Sequence, residues 1–397
     1  MKIAIISEWF SDKMGYAENL LPKAFGKLGH EVHLVTTDLQ TYATSPEYEK
    51  VYQHYLGPKQ VEQGIFKKKY FTLHRNPHAF TLRGGLKISN LEDKIREIQP
   101  DIVYCFEIFN RDTRLACVLK SKYGYKLFCE SRMHLSIFTP PKTFLRKIKQ
   151  YKTKIVGRIM SINIDQFYPI APDVLKVITK YCGVPEIKCK ISSLAVDTDL
   201  FSPSIQLEEI KEFRKKMGYD DDIVCLYTGR FAESKGPLIL AQAVNYLQEM
   251  GHSKFKGLFV GQGDKEYQNM IKNTKGCTIH PFVEVKELPK FYKSFDIGVW
   301  PLQESTSQLD AAACGMPIII NEKVEDNLRT EGNGLRYKDG DFKDLASKIL
   351  LLQDKLKRNE MGKIGSEKIA NFYSWDYLAK NKISDFNQYL NSKKLKK

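Results

Sequence analysis

The sequence predicts an α/β protein made of two doubly wound parallel sheets in tandem. Three observations carry this. The chain opens on KIAIISEWF, a strand-like run, then the loop SDKMGYAEN, the helical LLPKAFGKLGH and a second strand, EVHLVTTD. That is the β-loop-α-β unit of a doubly wound sheet. The same pattern starts anew at IVCLYTG, residues 223–229. A length of 397 residues exceeds one ordinary core, so two domains are expected.

In the first half, DIVYCFE (101–107) and KLFCES (126–131) read as further strands, with the helical DTRLACVLKSKYG between them. In the second half, RFAESKG leads into the helix PLILAQAVNYLQEMG. FKGLFVG is the next strand, before the helical GDKEYQNMIKN. Then come strand CTIHPF, helix ELPKFYKSF, strand DIGVWP, the segment ESTSQLDAAACG and strand PIIIN. Polar and proline residues in DTDLFSPS, 197–204, interrupt the pattern and place the boundary there. The expected domains are 1–197 and 198–374, with 375–397 a terminal amphipathic helix packing back toward the first domain.

The hydrophobic fraction, 42% with 12% aromatic residues, is that of a folded globular chain. No apolar run approaches the roughly 20 residues that span a bilayer, and the N-terminus shows no signal-peptide pattern, so a cytoplasmic protein is expected. The eight cysteines form no C-x-x-C pair and lie mostly in apolar runs, which suits buried free thiols and no metal site. The net charge is +15, of which residues 1–200 carry +11. Residues 131–164 contain no acid but have Arg132, Lys142, Arg146, Lys147, Lys149, Lys152, Lys154 and Arg158. Phe144, Leu145, Ile148, Tyr151, Ile155, Ile159 and Met160 interleave with them at helical spacing. Residues 142–160 therefore suit either an anionic membrane surface or an ordinary solvated helix. No nucleic-acid motif accompanies the charge, and nucleic acid is not expected as a partner.

Three segments carry chemistry. In TGRFAESKG, 228–236, Arg230 and Lys235 flank a short loop between a strand end and a helix start. They make either an anion site suited to a diphosphate or a pair of surface cations. VGQGD, 260–264, is a strand followed by a glycine turn that lets backbone approach a ligand. In ESTSQLDAAACG, 304–315, Ser307 and Asp310 have the S-x-x-D spacing of a capping box, while Glu304 and Asp310 are also candidate ligand-binding acids.

Taken in order, TGRFAESKG, LFVGQGD, ELPKFYKSFDIGVWP, ESTSQLDAAACGMPIII, NGLRYKDGD and FYSWDYLA resemble the retaining glycosyltransferases of family 4 (glycosyl transferases group 1). Upstream, KYCGVPEIKCKISSLAVDTDLFSP and MGYAENLLPKAFGKLGHEVHLVTTD are similar to that family's interdomain segment and acceptor-side loop, so the resemblance spans nearly the whole chain. It implies the GT-B fold, two Rossmann-like doubly wound domains facing across a cleft. It implies Arg230 and Lys235 on the donor diphosphate, Asp310 on the ribose hydroxyls and Glu304 on the transferred sugar. The amides of Ser305, Thr306, Ser307 and Gln308 would lie near the sugar and phosphates, Phe282 and Val283 near the base, and Gly15 and Gly261 where backbone approaches the donor. His134, in CESRMH, would contact the reacting sugar. Tyr16, Glu18, Glu107 and Glu130 would face the acceptor. The family's E-x7-E is here E-x5-D, and its glycine-containing loop is ESTSQ, so Ser307 or Gln308 is the alternative to Glu304.

The implied activity is retaining transfer of a sugar from a nucleotide diphosphate sugar to a hydroxyl of a glycan or lipid-linked acceptor, in cell-surface polysaccharide or glycolipid synthesis. No cofactor or metal is expected, and the placement is cytoplasmic or peripheral on the cytoplasmic membrane face. The alternative is a catalytically inactive, membrane-associated binding subunit with the same fold. An NAD-dependent enzyme is disfavoured because residues 11–19, SDKMGYAEN, lack G-x-G-x-x-G.

Overall fold

The apolar runs become inner strands of two parallel sheets, buried on both faces as all-parallel strands must be. A computed structural model describes every residue except 82–84, 136–137, 139–142, 194, 205–206, 303, 325–328 and 392–397. It divides into two compact units, Met1–Leu194 with Leu378–Lys397, and Ala195–Tyr377.

The first unit contains β1 (Lys2–Ser7), β2 (Glu31–Thr37), β3 (Gly64–Lys67), β4 (Thr72–Asn76), β5 (His78–Phe80), β6 (Leu86–Ile88), β7 (Ile102–Phe106), β8 (Lys126–Ser131) and β9 (Gln166–Pro169). Its main sheet has the order β3-β4-β2-β1-β7-β8-β9, with only the edge strand β3 antiparallel to its neighbour. β5 and β6 pair separately. The second unit contains β10 (Ile223–Thr228), β11 (Phe255–Val260), β12 (Cys277–His280), β13 (Ile297–Trp300), β14 (Ile318–Asn321) and β15 (Gly334–Tyr337). Its order is β12-β11-β10-β13-β14-β15, all parallel. In both sheets the strand order thus switches sides, between β1 and β7 and between β10 and β13, with the strands still parallel. Ligands of open α/β sheets bind beyond the carboxyl ends of the strands at such a switch point.

The second unit draws its two ends together. Val196 N donates to the Tyr373 carbonyl at 2.7 Å, and Trp375 N donates to the Val196 carbonyl at 3.2 Å. The helix Trp375–Asn391 then carries Phe386, fully buried in the first unit. Its ring lies 4.3 Å from that of Phe128 and 5.7 Å from that of Phe25.

The helix Phe144–Asn163 is capped by the Thr143 hydroxyl, which accepts from Arg146 N. It buries only Gly157, Met160 and Ser161. Gly157 is needed there, because a Cβ would meet the Cys182 carbonyl oxygen at 1.8 Å. Met160 therefore belongs to the core, a correction to its place on the interleaved apolar face. The rest of that face stays outside, with Phe144 76%, Leu145 77% and Ile162 72% exposed. Lys142, expected to share in the basic patch, lies outside the described residues. Among the described residues no helix is long and apolar enough to cross a membrane. All eight cysteines are free thiols, six of them buried.

Candidate active site

Around the first sheet's switch point, Arg132 is the hub. It follows β8, and its Nη1 contacts both carboxylate oxygens of Glu18 at 3.2 Å while its Nε donates to Glu130 at 2.9 Å. Its guanidinium stacks 4.5 Å from the Phe106 ring. Glu18 sits in the first turn of the helix Ala17–Lys27, where an acid also suits the helix dipole. Glu130 is buried, with its second oxygen accepting from the Tyr104 hydroxyl at 2.7 Å and lying 3.9 Å from the Lys382 ammonium. Glu107 holds φ at 60°, and its carboxylate accepts from Ser131 Oγ at 2.9 Å and Arg132 N at 2.6 Å. Burial pushes its carboxyl above the ordinary range. These partners correct the expectation that Glu107 and Glu130 reach an acceptor. Their oxygens are already engaged in positioning Arg132 and the segment after β8.

His134 lies in that segment. Its Nδ1 faces the Asp173 carboxylate at 3.1 Å, and the same carboxylate accepts from Leu135 N. A carboxylate on Nδ1 fixes that nitrogen as the donor and leaves Nε2 facing away from Asp173. Tyr16 precedes the helix Ala17–Lys27, and its hydroxyl meets that of Tyr42 at 2.7 Å. Gly15 is exposed in the loop after β1.

In the second unit the segments after β10, β11, β12 and β13 carry the remaining residues. Arg230 is exposed, its carbonyl accepting from the Tyr227 hydroxyl at 2.9 Å. Lys235 ends the 3-10 turn Glu233–Lys235, before the helix Pro237–Glu249. Loss of water and the nearby Arg230 charge both lower the Lys235 ammonium's pKa. Among the described residues, neither cation has a carboxylate partner within ion-pair distance. Two cations that repel one another beside a helix N-terminus suit a multiply charged anion. Gly236 adopts φ 67°, and a Cβ there would meet Leu302 Cγ at 2.6 Å. The loops after β10 and β13 thus pack on each other.

Gly261 has a packing reason to lack a side chain, beside the donor approach expected of it. At φ 147°, a Cβ would meet the Gly229 carbonyl oxygen at 2.0 Å. Its missing side chain serves the joining of the segments after β10 and β11, which Phe231 and Gly263 continue as a parallel bridge. Phe282 is exposed just beyond β12, while Val283 packs on the core.

The loop after β13 is organised by Arg329, a residue no motif pointed to. It pairs with Glu304, and its Nη1 donates to the Ser305 carbonyl and the Gln308 side-chain oxygen, each at 3.2 Å. Arg329 and Gln308 are buried. This corrects the idea that Gln308 replaces Glu304 on a sugar, because its side chain braces the loop. The capping box is corrected too. Ser305 is the cap, accepting from Ser307 N at 3.3 Å, and the helix runs Thr306–Ala313. Thr306 is exposed in its first turn, and Asp310 sits in its second. Burial pushes the Asp310 carboxyl up to about 8, and the Asp197 charge adds to this.

Residues 222–355 match the family described as Glycosyl transferases group 1. Among curated proteins, the chain is 27% identical over 250 residues to spore coat protein SA of Bacillus subtilis, an alignment covering 57% of this chain and 66% of that protein. It is 26% identical over 214 residues to the uncharacterized glycosyltransferase MJ1607 of Methanocaldococcus jannaschii, covering 51% and 54%. The match spans less than two thirds of either relative's length. Among solved structures, sucrose-phosphate synthase from Thermosynechococcus elongatus superposes with TM-score 0.71 at 15% identity, over 98% of this chain and 99% of that one. Anabaena Alr3699/HepE in complex with UDP gives TM-score 0.68 at 14% identity, over 98% and 100%. The fold is GT-B.

Proposed function

We propose that this chain, which carries a Glycosyl transferases group 1 domain on a GT-B fold, transfers a sugar from a nucleotide diphosphate sugar to a hydroxyl, with retention at the anomeric carbon. The observation that carries the reading is the Arg230–Lys235 cation pair beyond β10, beside a helix N-terminus and with no carboxylate partner among the described residues. The two cations hold the donor diphosphate and neutralise the charge that develops as the glycosidic bond breaks. Asp310 accepts from ribose hydroxyls, Phe282 and Val283 meet the base, and the amides of Ser305–Gln308 face the sugar and phosphates. The UDP and UDP-glucose complexes of the Anabaena neighbour support a donor of this class.

The acceptor hydroxyl attacks the oxocarbenium-like centre on the face the nucleotide leaves, and its proton passes to the departing phosphate oxygen. His134, fixed by Asp173, aligns the reacting sugar, and Tyr16 meets the acceptor. The protein's contribution is orientation and charge stabilisation, with no divalent metal taking part. Transfer that EDTA abolishes, and that a divalent metal restores, would count against that last point.

The acceptor is a glycan or lipid-linked sugar worked at the cytoplasmic membrane face. The exposed apolar and basic face of Phe144–Asn163 supports this placement. The relative named as a spore coat protein supports a cell-surface product. A binding subunit without turnover is the second reading, favoured by the occupation of Glu304 by Arg329.

The test is Arg230→Ala and Lys235→Ala with a panel of UDP-, GDP- and dTDP-sugars. Each variant should lose on the order of 100-fold or more in transfer rate, with little change in melting temperature. Equal turnover in wild type and variants removes the diphosphate role. Nucleotide binding with no transfer to any acceptor leaves the second reading.

A further inference from the structure

A cavity of about 330 Å³ opens in the first unit among the segment after β1, the residue Gln40 after β2, and the strands β3 and β4. Its size is at the small end for ligand pockets, enough for one ring. Arg75, Lys68 and Lys13 give the wall three cations, against the acids Asp12 and Glu62.

Arg75 is only 7% exposed. Its Nη1 donates to the Phe10 carbonyl at 3.2 Å, and its guanidinium stacks 5.3 Å from the Phe10 ring. Its Nη2 lies 3.5 Å from one oxygen of Asp12, too long for a good hydrogen bond, while Lys68 holds the other oxygen at 2.8 Å. Asp12 is half exposed on its loop and bridges two cations as a bound anion would. Lys13 is turned to the Tyr55 carbonyl, 2.6 Å away.

Gln40 supplies an independent observation. It too is 7% exposed, and its Nε2 donates to the Leu56 carbonyl at 2.9 Å. Its Oε1 is buried and has no hydrogen-bond partner. A buried acceptor without a donor is costly, and a ligand hydroxyl satisfies it.

We infer that this cavity binds one ring of an anionic sugar, its phosphate or carboxylate displacing Asp12 from Arg75 and Lys68 while a ring hydroxyl donates to Gln40 Oε1. That the ring belongs to the acceptor rests on the glycosyltransferase reading; the binding itself does not.

Calorimetric titration of the full chain with glucose 6-phosphate, glucuronate and glucose tests it, with UDP titrated in parallel. At least one anionic sugar should bind saturably, and glucose on the order of tenfold more weakly. Whether the phosphate or the carboxylate binds tighter identifies the anion. Lys68→Ala should weaken the anionic sugar about tenfold, whereas Asp12→Asn should tighten it several-fold by removing the internal competitor. Both substitutions lie on partly exposed side chains, so folding is retained. Absence of binding by both anions, equal binding of glucose, an unaffected Lys68→Ala, or an Asp12→Asn chain that binds no more tightly overturns the inference. Failure of UDP to bind would instead strike the donor reading and leave this pocket standing.

Discussion

The Asp310 carboxyl, raised from 3.8 to about 8, keeps its proton in the folded chain at pH values where the unfolded chain has released it. The sign follows from linkage. A folded pKa above the unfolded one gives stability that is fully present below about pH 4 and is lost as pH rises toward 8. Asp310→Asn removes the ionisation while keeping the shape. The wild-type melting temperature should therefore fall more steeply than that of Asp310→Asn between pH 5 and pH 8.5, so that the variant gains most at the alkaline end. Parallel profiles would show that burial does not govern this group. The residue scale also shows where sequence reading stops. Arg230 and Lys235 were legible because a strand end, a short loop and a helix start place two cations together in any chain with that pattern. Arg329 was not, because it reaches Glu304 and Gln308 from 25 and 21 residues away, a pairing set only by the packing of the loop after β13. The acids Glu107 and Glu130 were seen, but their burial was hidden in the same way.

Among elements, the inner strands were legible because parallel strands covered on both faces read as continuous apolar runs. The short strands β3 to β6 were not, since a polar edge strand such as Gly64–Lys67 carries no such run. The glycine of VGQGD was read for its freedom to approach a ligand, yet the nearest atom is the Gly229 carbonyl oxygen. Gly261→Ala should thus cost about 1–3 kcal/mol of stability, read by chemical denaturation. A loss of nucleotide affinity at unchanged stability would restore the original reading. The helix Phe144–Asn163 makes a different claim. Leu145 and Tyr151 on it are 77% and 67% exposed, so Leu145→Asp and Tyr151→Asp should shift stability by no more than about 0.5 kcal/mol. Co-sedimentation with anionic liposomes should nonetheless drop strongly, since the basic face alone gives weak attraction. Equal binding to anionic and neutral vesicles would reject the membrane role.

At the scale of the whole molecule, the chain enters the second unit at Ala195 and leaves it at Tyr377, so the first unit is completed only by the last segment. The amphipathic pattern of FYSWDYLAKNKISDFNQYL predicts a helix packing back toward the first domain, but not which side chain enters a core made more than 200 residues earlier. Phe386 does this, lying among Phe25, Tyr104 and Phe128. Nearby, Asp385 accepts from Lys190 at 2.7 Å and from the Tyr168 hydroxyl at 3.0 Å. Lys382 stacks 3.8 Å from the Tyr168 ring and donates to Ser192 Oγ at 2.8 Å. Phe386→Ala leaves a cavity where a ring was, at a cost of about 3–5 kcal/mol. Because these contacts belong to the first unit, amides of β1, β7 and β8 should exchange with solvent faster in the variant, while those of β10 and β13 keep their protection. UDP should still protect the second unit, since the cations proposed to hold the donor lie there. If exchange instead rises uniformly across both sheets, the two units share one unfolding transition, and the tail supports the whole chain instead of completing one half of it.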